Sequence, residues 1–143
     1  EEPIVIEYNV RMGDPETESV IPRIENDLIE LFMCVGNQSL DKSSIHISSK
    51  ATASIMLVSK GYPEAYEKGK IIRFPDTISD SIVFHAGTKL NDKHDVITNG
   101  GTVLAVTSYG NTLEEAIAIS NKNAQLIEFE NKYFRSDIGK DIL

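Results

Sequence analysis

Apolar and polar residues alternate at the start of the chain. Apolar side chains occupy every second position from Ile4 to Val10, and mostly polar residues occupy the positions between them. This period of two places the two sets on opposite faces of an extended backbone. Gly13-Asp14-Pro15 follows, and proline both lacks an amide donor and keeps its predecessor extended. The pattern predicts a β-strand over residues 4–11 that ends in a turn.

A helical spacing comes next. Four apolar residues recur at intervals of three and four positions: Leu28, Leu31, Phe32 and Val35. Asn26 or Asp27 can cap the first turn, and Gly36 stands where a glycine commonly follows the last helical residue. We therefore predict a helix between these residues. The following residues, 37–49, are polar and rich in serine, which is typical of a linker.

Short β-type segments fill much of the remaining chain. They are Ala51–Ser59, Lys70–Phe74, Ser81–His85, Val96–Thr98 and Thr102–Thr107. The last two flank Asn99-Gly100-Gly101, and an Asn-Gly pair favours the two left-handed residues of a type I′ turn. The pattern predicts a β-hairpin across these glycines.

A final amphipathic helix is predicted from Thr112. Glu115 stands three residues further on, which is the spacing of a capping box. The expected buried stripe consists of Leu113, Ala116, Ile117, Ala124 and Ile127. The helix is expected to end near Asn131 or Lys132, so residues 50–143 would form several short strands closed by one helix.

The composition narrows the class of protein. A chain of 143 residues and 15.8 kDa has the length of one domain, and 41% hydrophobic with 25% charged residues is typical of a folded chain. The single cysteine, Cys34, excludes an internal disulfide and favours a reducing compartment, the cytoplasm. No apolar run approaches the ~18 residues of a membrane span. A net charge of −8 speaks against nucleic-acid and anionic-membrane partners.

The acidic residues are unevenly distributed. Residues 1–49 carry ten acidic and three basic residues, whereas residues 50–143 carry twelve acidic and eleven basic ones. This difference favours two pieces with different roles, and a solvated acidic face in the first piece also explains it. The chain has no initiator methionine and starts almost directly with a strand pattern, so we expect a piece cut from a larger protein.

Several residues that commonly carry chemistry lack the partners that the chemistry needs. His46, His85 and His94 do not cluster at the spacing of metal ligands. Cys34 lies on the predicted helix, where a small buried thiol is expected. Lys68-Gly69-Lys70 lacks both the earlier glycine and the following hydroxyl residue of a phosphate-binding loop. None of these residues predicts a site.

The acidic face of the first strand is a better candidate. Glu7, Asn9 and Arg11 would leave one face of the strand at intervals of roughly 6–7 Å. A carboxylate beside a carboxamide supplies the hard oxygen ligands that suit Mg²⁺, and the arginine can bind phosphate or carboxylate oxygens. Asp14 and Glu16 add two carboxylates in the turn. The same spacing also fits a strand with one solvated face.

The first strand and turn resemble the signature of a known enzyme family. The run Val5-Ile6-Glu7-Tyr8-Asn9-Val10-Arg11-Met12-Gly13-Asp14-Pro15-Glu16-Thr17 is similar to the V-I-E-F-N-x-R-F-G-D-P-E-T signature of glycinamide ribonucleotide synthetase, or phosphoribosylamine–glycine ligase, one of the ATP-grasp ligases. The likeness continues in order through Gly61-Tyr62-Pro63, Phe84-His85-Ala86-Gly87-Thr88, Thr98-Asn99-Gly100-Gly101, Thr112-Leu113-Glu114-Glu115-Ala116, Tyr133, Arg135 and Asp137-Ile138-Gly139. Met12 stands where phenylalanine is usual, and Thr102 stands where an arginine is common.

The resemblance implies an α+β architecture in two parts. Residues 1–48 would be the C-terminal end of an ATP-grasp domain, a strand plus a helix. Residues 49–143 would be the small β-rich C-terminal domain of the ligase, of the barrel-sandwich-hybrid type and closed by one helix.

The resemblance also implies roles for five residues. Glu7 and Asn9 match the family's Mg²⁺ or Mn²⁺ ligands. Arg11 matches a catalytic arginine that lies at the reacting acyl phosphate. Asp14 and Glu16 fall in a loop near the substrates and are expected to bind them.

The implied activity is the ATP-dependent joining of glycine to 5-phospho-β-D-ribosylamine in purine biosynthesis, through a glycyl phosphate. The implied partners are ATP, glycine and 5-phosphoribosylamine, with no nucleic acid and no membrane, in a monomeric cytoplasmic enzyme. No phosphate-binding loop is found here, so the chain alone is expected to be inactive. Two other classes stay open: a non-catalytic β-rich binding module, and another ATP-grasp ligase such as a carboxylase.

Overall fold

The chain forms a small mixed α/β domain. The computed structural model describes residues 4–6, 8–140 and 142, and these contain three α-helices and six strands. The helices are α1 (Thr17–Val20), α2 (Leu28–Gly36) and α3 (Leu113–Leu126), and 3₁₀ turns occupy Ile21–Arg23 and Leu40–Lys42. The strands are β1 (Ala51–Ser59), β2 (Ser81–His85), β3 (Thr88–Leu90), β4 (Val96–Thr98), β5 (Thr102–Gly110) and β6 (Lys132–Tyr133). No helix in the described part of the chain is long and apolar enough to cross a membrane.

Two antiparallel sheets organise the domain. The larger sheet has the strand order β2-β5-β1-β6, and β3 pairs with β4 in a second sheet. The central pair runs from Ala51 opposite Gly110 to Val58 opposite Thr102, with a register shift after Leu57. Because side chains alternate along a strand, this pairing gives the larger sheet an inner face and an outer face.

The main core lies between α3 and the inner face of the larger sheet. Ile55, Leu57, Leu104 and Ile127 are completely buried there. The predicted N-cap is confirmed, because the hydroxyl of Thr112 accepts from the Glu115 amide at 3.2 Å. The reciprocal bond of a capping box is displaced by one residue, since the Glu115 carboxylate accepts from the Asn111 amide at 2.6 Å. All of the predicted stripe packs inward, but α3 ends at Leu126, earlier than predicted.

The helix α2 is confirmed. The Asp27 carboxylate accepts from the amides of Ile29 at 2.8 Å and Glu30 at 3.3 Å, which caps the first turn. Gly36 is the last helical residue, and the left-handed position after the helix belongs to Gln38, with φ 54°. The expectation that Gly36 follows the helix was therefore wrong.

The serine-rich segment 37–49 is not a free linker. Its end pairs antiparallel with the residues before α2 through a bridge between Ile24 and Ile47. The side chain of Asn26 crosslinks the two segments, because it donates to the Ser44 carbonyl at 3.0 Å and accepts from the His46 amide at 2.6 Å. The side chain of one half-buried asparagine thus gives the polar segment a defined structure.

The strand predicted over residues 4–11 is not formed by the described residues 4–6 and 8–11. Ile4, Ile6, Tyr8 and Val10 are between 86% and 103% exposed, so their side chains pack against none of the residues that the structure describes. No neighbouring strand pairs with this segment in the described part of the chain. A strand without a hydrogen-bonded neighbour has no ladder to hold it, so the alternating pattern alone does not make one.

The predicted hairpin across Asn99-Gly100-Gly101 is also wrong. β4 pairs with β3, whereas β5 pairs with β1 and β2, so the two flanking strands belong to different sheets. Neither glycine has a positive φ. They allow a close approach of other groups instead, because a Cβ on Gly101 would stand 1.9 Å from the Tyr62 ring. The predicted segment Lys70–Phe74 forms only isolated bridges at Ile71 and Arg73.

Candidate functional site

The turn Gly13–Glu16, hereafter the signature turn, is a closed local structure. The Glu16 amide donates to the Gly13 carbonyl at 3.2 Å, and the Glu16 carboxylate accepts from the Gly13 amide at 2.6 Å. Glu16 therefore uses one carboxylate oxygen to shape the turn. The side chain of Asp14 is exposed, so its carboxylate is accessible to a ligand.

The helix α1 follows the signature turn and lies on the outer face of the larger sheet. Ser19 is the main point of contact: its hydroxyl lies 2.7 Å from the Ser54 hydroxyl, and its carbonyl accepts from the Thr52 hydroxyl at 2.7 Å. Just beyond α1, the Pro22 carbonyl accepts from the Tyr109 hydroxyl at 3.0 Å. The turn is thus attached to the sheet through polar side chains.

A groove of about 380 Å³ runs beside the signature turn. It is lined by Pro15 of the turn, Ser54, Met56 and Val58 of β1, Tyr62, and Tyr133, Phe134, Arg135 and Ile138 of the C-terminal segment. Most of these side chains are apolar or aromatic. The structure therefore brings the turn next to the Tyr133, Arg135 and Asp137-Ile138-Gly139 positions of the family resemblance.

Arg135 and Asp137 form a two-point ion pair at the edge of this groove. Nε of Arg135 donates to one carboxylate oxygen at 3.0 Å and Nη2 donates to the other at 2.9 Å. These hydrogen bonds, together with the backbone amide of Asp137, lower the pKa of the Asp137 carboxyl below its usual range. The pair stays charged at neutral pH, and its two hydrogen bonds fix the orientation of the Arg135 guanidinium.

The predicted metal and catalytic residues lie upstream of the signature turn. Glu7 lies outside the described residues, and Asn9 and Arg11 lie on the exposed, irregular segment before the turn. Nη1 of Arg11 donates to the Met12 carbonyl at 2.8 Å. Among the described residues, no group of three His, Cys, Asp or Glu side chains converges as a metal cluster. A carboxylate and a carboxamide nevertheless fit Mg²⁺, which commonly takes one or two protein oxygens and completes its shell with phosphates and water.

Three segments of the family resemblance meet at one end of the larger sheet. The backbone of Gly87 lies against that of Gly100, and the Asn99 amide donates to the Gly87 carbonyl at 2.7 Å. The Tyr62 ring covers Gly101. These glycines are thus explained by close packing, and they contribute no reactive group.

Sequence reasoning missed the outer-face hydroxyl residues. Thr52, Ser54, Thr107 and Tyr109 form two cross-strand pairs, Thr52 opposite Tyr109 and Ser54 opposite Thr107. We refer to these four residues as the hydroxyl quartet. The available signal was a pair of hydroxyl residues two positions apart in each strand, and it could be interpreted only once the register of β1 and β5 was known.

Comparison with known proteins identifies the family. Residues 52–141 match the family model described as phosphoribosylglycinamide synthetase, C domain, and the chain belongs to this family. It is 42% identical over 143 residues to the bifunctional purine biosynthetic protein ADE1 of Schizosaccharomyces pombe, a match that covers 99% of this chain and 18% of that protein. It is 40% identical over 144 residues to the phosphoribosylamine–glycine ligase of Chlorobaculum tepidum, covering 99% of this chain and 34% of the relative.

A solved structure agrees with these matches. The crystal structure of the phosphoribosylamine–glycine ligase of Thermotoga maritima aligns with a TM-score of 0.76 and 33% identity, over 95% of this chain and 33% of that one. The chain therefore spans about a third or less of the length of the relatives described here.

Proposed function

We propose that this chain is the C-terminal part of a phosphoribosylamine–glycine ligase, which joins glycine to 5-phosphoribosylamine at the expense of ATP in purine biosynthesis. The observation that carries the proposal is the match at 40% identity to a named ligase over 99% of the chain. The name of the fission-yeast relative supports the pathway. In this proposal the enzyme is cytoplasmic and monomeric, and it has no nucleic-acid or membrane partner.

The proposal divides the chain at residue 48. Residues 1–48 would complete an ATP-grasp domain, and residues 49–143 would form a barrel-sandwich-hybrid C-terminal domain. The exposed apolar side chains of the first part support this division, because Ile6 is 95% and Phe32 67% exposed. Apolar surface of this extent normally packs against another layer of protein.

The reaction would proceed through a glycyl phosphate. The glycine carboxylate attacks the γ-phosphorus of ATP and releases ADP; the ribosylamine nitrogen then attacks the acyl carbon, and phosphate leaves. Glu7 and Asn9 would hold Mg²⁺ or Mn²⁺, which when bound offsets the charge of the ATP phosphates. Arg11 would donate hydrogen bonds to the transferring phosphate, where a fixed cation lowers the barrier. Asp14 would accept hydrogen bonds from an amine-bearing substrate, and Glu16 would bind substrate with the oxygen that it does not use within the turn.

An assay of ADP formation tests this function. The full-length protein should form ADP continuously only when both glycine and 5-phosphoribosylamine are present. The 143-residue chain alone should give the rate of the buffer blank, since most phosphoryl-transfer catalysis is positioning of ATP. ADP formation by the full-length protein that does not depend on glycine would contradict the proposal, and so would turnover by the chain alone.

A further inference from the structure

We propose that the hydroxyl quartet holds the signature turn in position for substrate binding, with Ser54 as the central positioning residue. The inference rests on the function proposed above, because it assumes that Asp14 of the turn contacts a substrate. It adds a group of residues on the larger sheet to those that would position substrates in the ligase.

The signature turn and α1 form one unit. The Glu16 carbonyl at the end of the turn accepts from the amides of Ser19 at 3.0 Å and Val20 at 2.9 Å. The position of the turn therefore follows the position of α1. This helix has four residues and none of them is buried, so neither intrinsic helix stability nor apolar burial can fix it.

Hydrogen bonds from the larger sheet fix the position of α1 in place of apolar burial. Thr52 and Ser54 both bond to Ser19, one to its carbonyl and one to its hydroxyl. Tyr109 bonds to the Pro22 carbonyl. These three bonds come from two neighbouring strands, β1 and β5, and hold the segment at two residues, Ser19 and Pro22, so they restrict both its translation along the sheet and its rotation.

The donor and acceptor of each hydrogen bond from Thr107 through Ser54 to Ser19 follow from the burial of Thr107. Thr107 is fully buried, and within the described residues its hydroxyl has one hydrogen-bond partner, the Ser54 hydroxyl at 2.6 Å. A buried donor without an acceptor is costly, so Thr107 donates to Ser54. Ser54 then uses its own proton to donate to Ser19. Removal of the Ser54 hydroxyl would break both links and leave the Thr107 donor without an acceptor.

The turn meets the groove at Pro15, which directly precedes Glu16. Pro15 and Ser54 line the same groove, so a shift of α1 moves the turn across the groove wall. The exposed carboxylate of Asp14 suits the amine of glycine or ribosylamine better than a phosphate, since like charges repel. Misplacement of a binding group by about 1 Å can cost a large factor in rate.

Hydrogen exchange on the 143-residue chain tests the structural part. In Ser54→Ala, the amides of Ser19 and Val20 should exchange about tenfold faster, while amides of β1 and β5 keep their rates. Ser54→Thr keeps the hydroxyl and should restore slow exchange. Ser81→Ala is the control, because it removes a second cross-strand hydroxyl pair, with Ser108 at 2.5 Å, and a hydrogen bond from Asn123 at 2.6 Å, neither of which involves α1. Unchanged exchange at Ser19 and Val20 in Ser54→Ala, or equal acceleration in Ser81→Ala, would overturn the proposal.

Steady-state kinetics of the full-length ligase test the functional part. Ser54→Ala should raise the KM for glycine or 5-phosphoribosylamine about fivefold or more and leave the KM for ATP within about twofold. Ser54→Thr should return the raised KM value to that of the unsubstituted enzyme. Equal changes in all three KM values, or none, would overturn the positioning role. An unsubstituted full-length protein without ligase activity would instead refute the proposed function, and hydrogen exchange would still decide whether the quartet holds α1.

Discussion

Gly87 lies directly against the backbone of Gly100: a Cβ atom on Gly87 would stand 2.6 Å from the Cα atom of Gly100. The same Cβ would stand 2.4 Å from the Thr102 carbonyl oxygen. Both neighbours are backbone atoms in packed structure, and they cannot move aside as the end of a flexible side chain can. The contact lies between the residue before β3 and the segment that links β4 to β5.

Gly87→Ala should therefore lower the free energy of unfolding by about 1–3 kcal/mol, the usual cost of forcing an extra methyl group into a packed site. Urea denaturation followed by circular dichroism measures this change. Gly36→Ala is the control, because no atom of the described residues lies within 4 Å of its added methyl group and Gly36 ends the helix α2. It should be neutral or stabilise by about 0.5 kcal/mol. Equal effects of the two substitutions would refute the close-contact explanation.

Lys132 closes the C-terminal end of α3. Its ammonium donates to the carbonyls of Ala124 at 2.9 Å, Gln125 at 3.1 Å and Ile127. Burial lowers the pKa of Lys132, and the Glu128 carboxylate opposes that shift. All three bonds require the protonated form, which has three N–H donors.

We expect Lys132→Met to destabilise the chain by about 1–3 kcal/mol, because it keeps an unbranched side chain but leaves the last carbonyls of the helix without a donor. Chemical denaturation gives the value. Lys122→Met lies at an exposed position on α3. Its free energy of unfolding should stay within about 0.5 kcal/mol of that of the unsubstituted chain. A Lys132→Met variant as stable as Lys122→Met would show that the three bonds contribute nothing.

The ion pair between Arg135 and Asp137 predicts a pH dependence. The pKa of Asp137 is lowered in the folded chain, chiefly by the hydrogen bonds from Arg135. A carboxyl group whose pKa falls on folding contributes its full stabilisation above the ordinary pKa of aspartate. That contribution is lost as the pH falls through the lower folded-state pKa.

Arg135→Gln should thus raise the pKa of Asp137 toward the ordinary value. A ¹³C NMR titration of the Asp137 carboxyl carbon measures the midpoint in both chains. The backbone amide of Asp137 also lowers this pKa, so the shift should be partial. An identical midpoint in the two chains would mean that the arginine does not set the charge state of this part of the groove.

Local signals predicted α2 and α3, whereas the short helix α1 was not predicted. Asp27 and Thr112 cap α2 and α3 as expected, because an N-cap bond is made within three residues and is visible in the sequence. The strands β1 and β2 agree with their predicted bounds for a related reason, since their β-type runs are bounded by turn residues.

Pairing between distant segments could not be predicted in the same way. The Asn99-Gly100 pair is a strong hairpin signal, yet Gly100 packs against Gly87, which the local pattern does not reveal. The strand predicted over residues 4–11 failed because strand formation depends on a partner. The hydroxyl quartet was missed for the same reason, because Ser54 and Thr107 become neighbours only through the register of β1 and β5.

The central claim is that Glu7 and Asn9 belong to the metal site of a ligase, and ADP formation by the full-length protein at varied Mg²⁺ concentration tests it most directly. Glu7→Gln and Asn9→Leu should each lower kcat by about 100-fold or more, roughly 2.7 kcal/mol of transition-state stabilisation. The double variant should lose much less transition-state stabilisation than the sum of the two single losses, because both residues would serve one metal site. Glu18→Gln, beyond the signature turn, should resemble the unsubstituted enzyme. Normal turnover with normal Mg²⁺ dependence in Glu7→Gln and Asn9→Leu would contradict the claim and leave these residues as surface side chains.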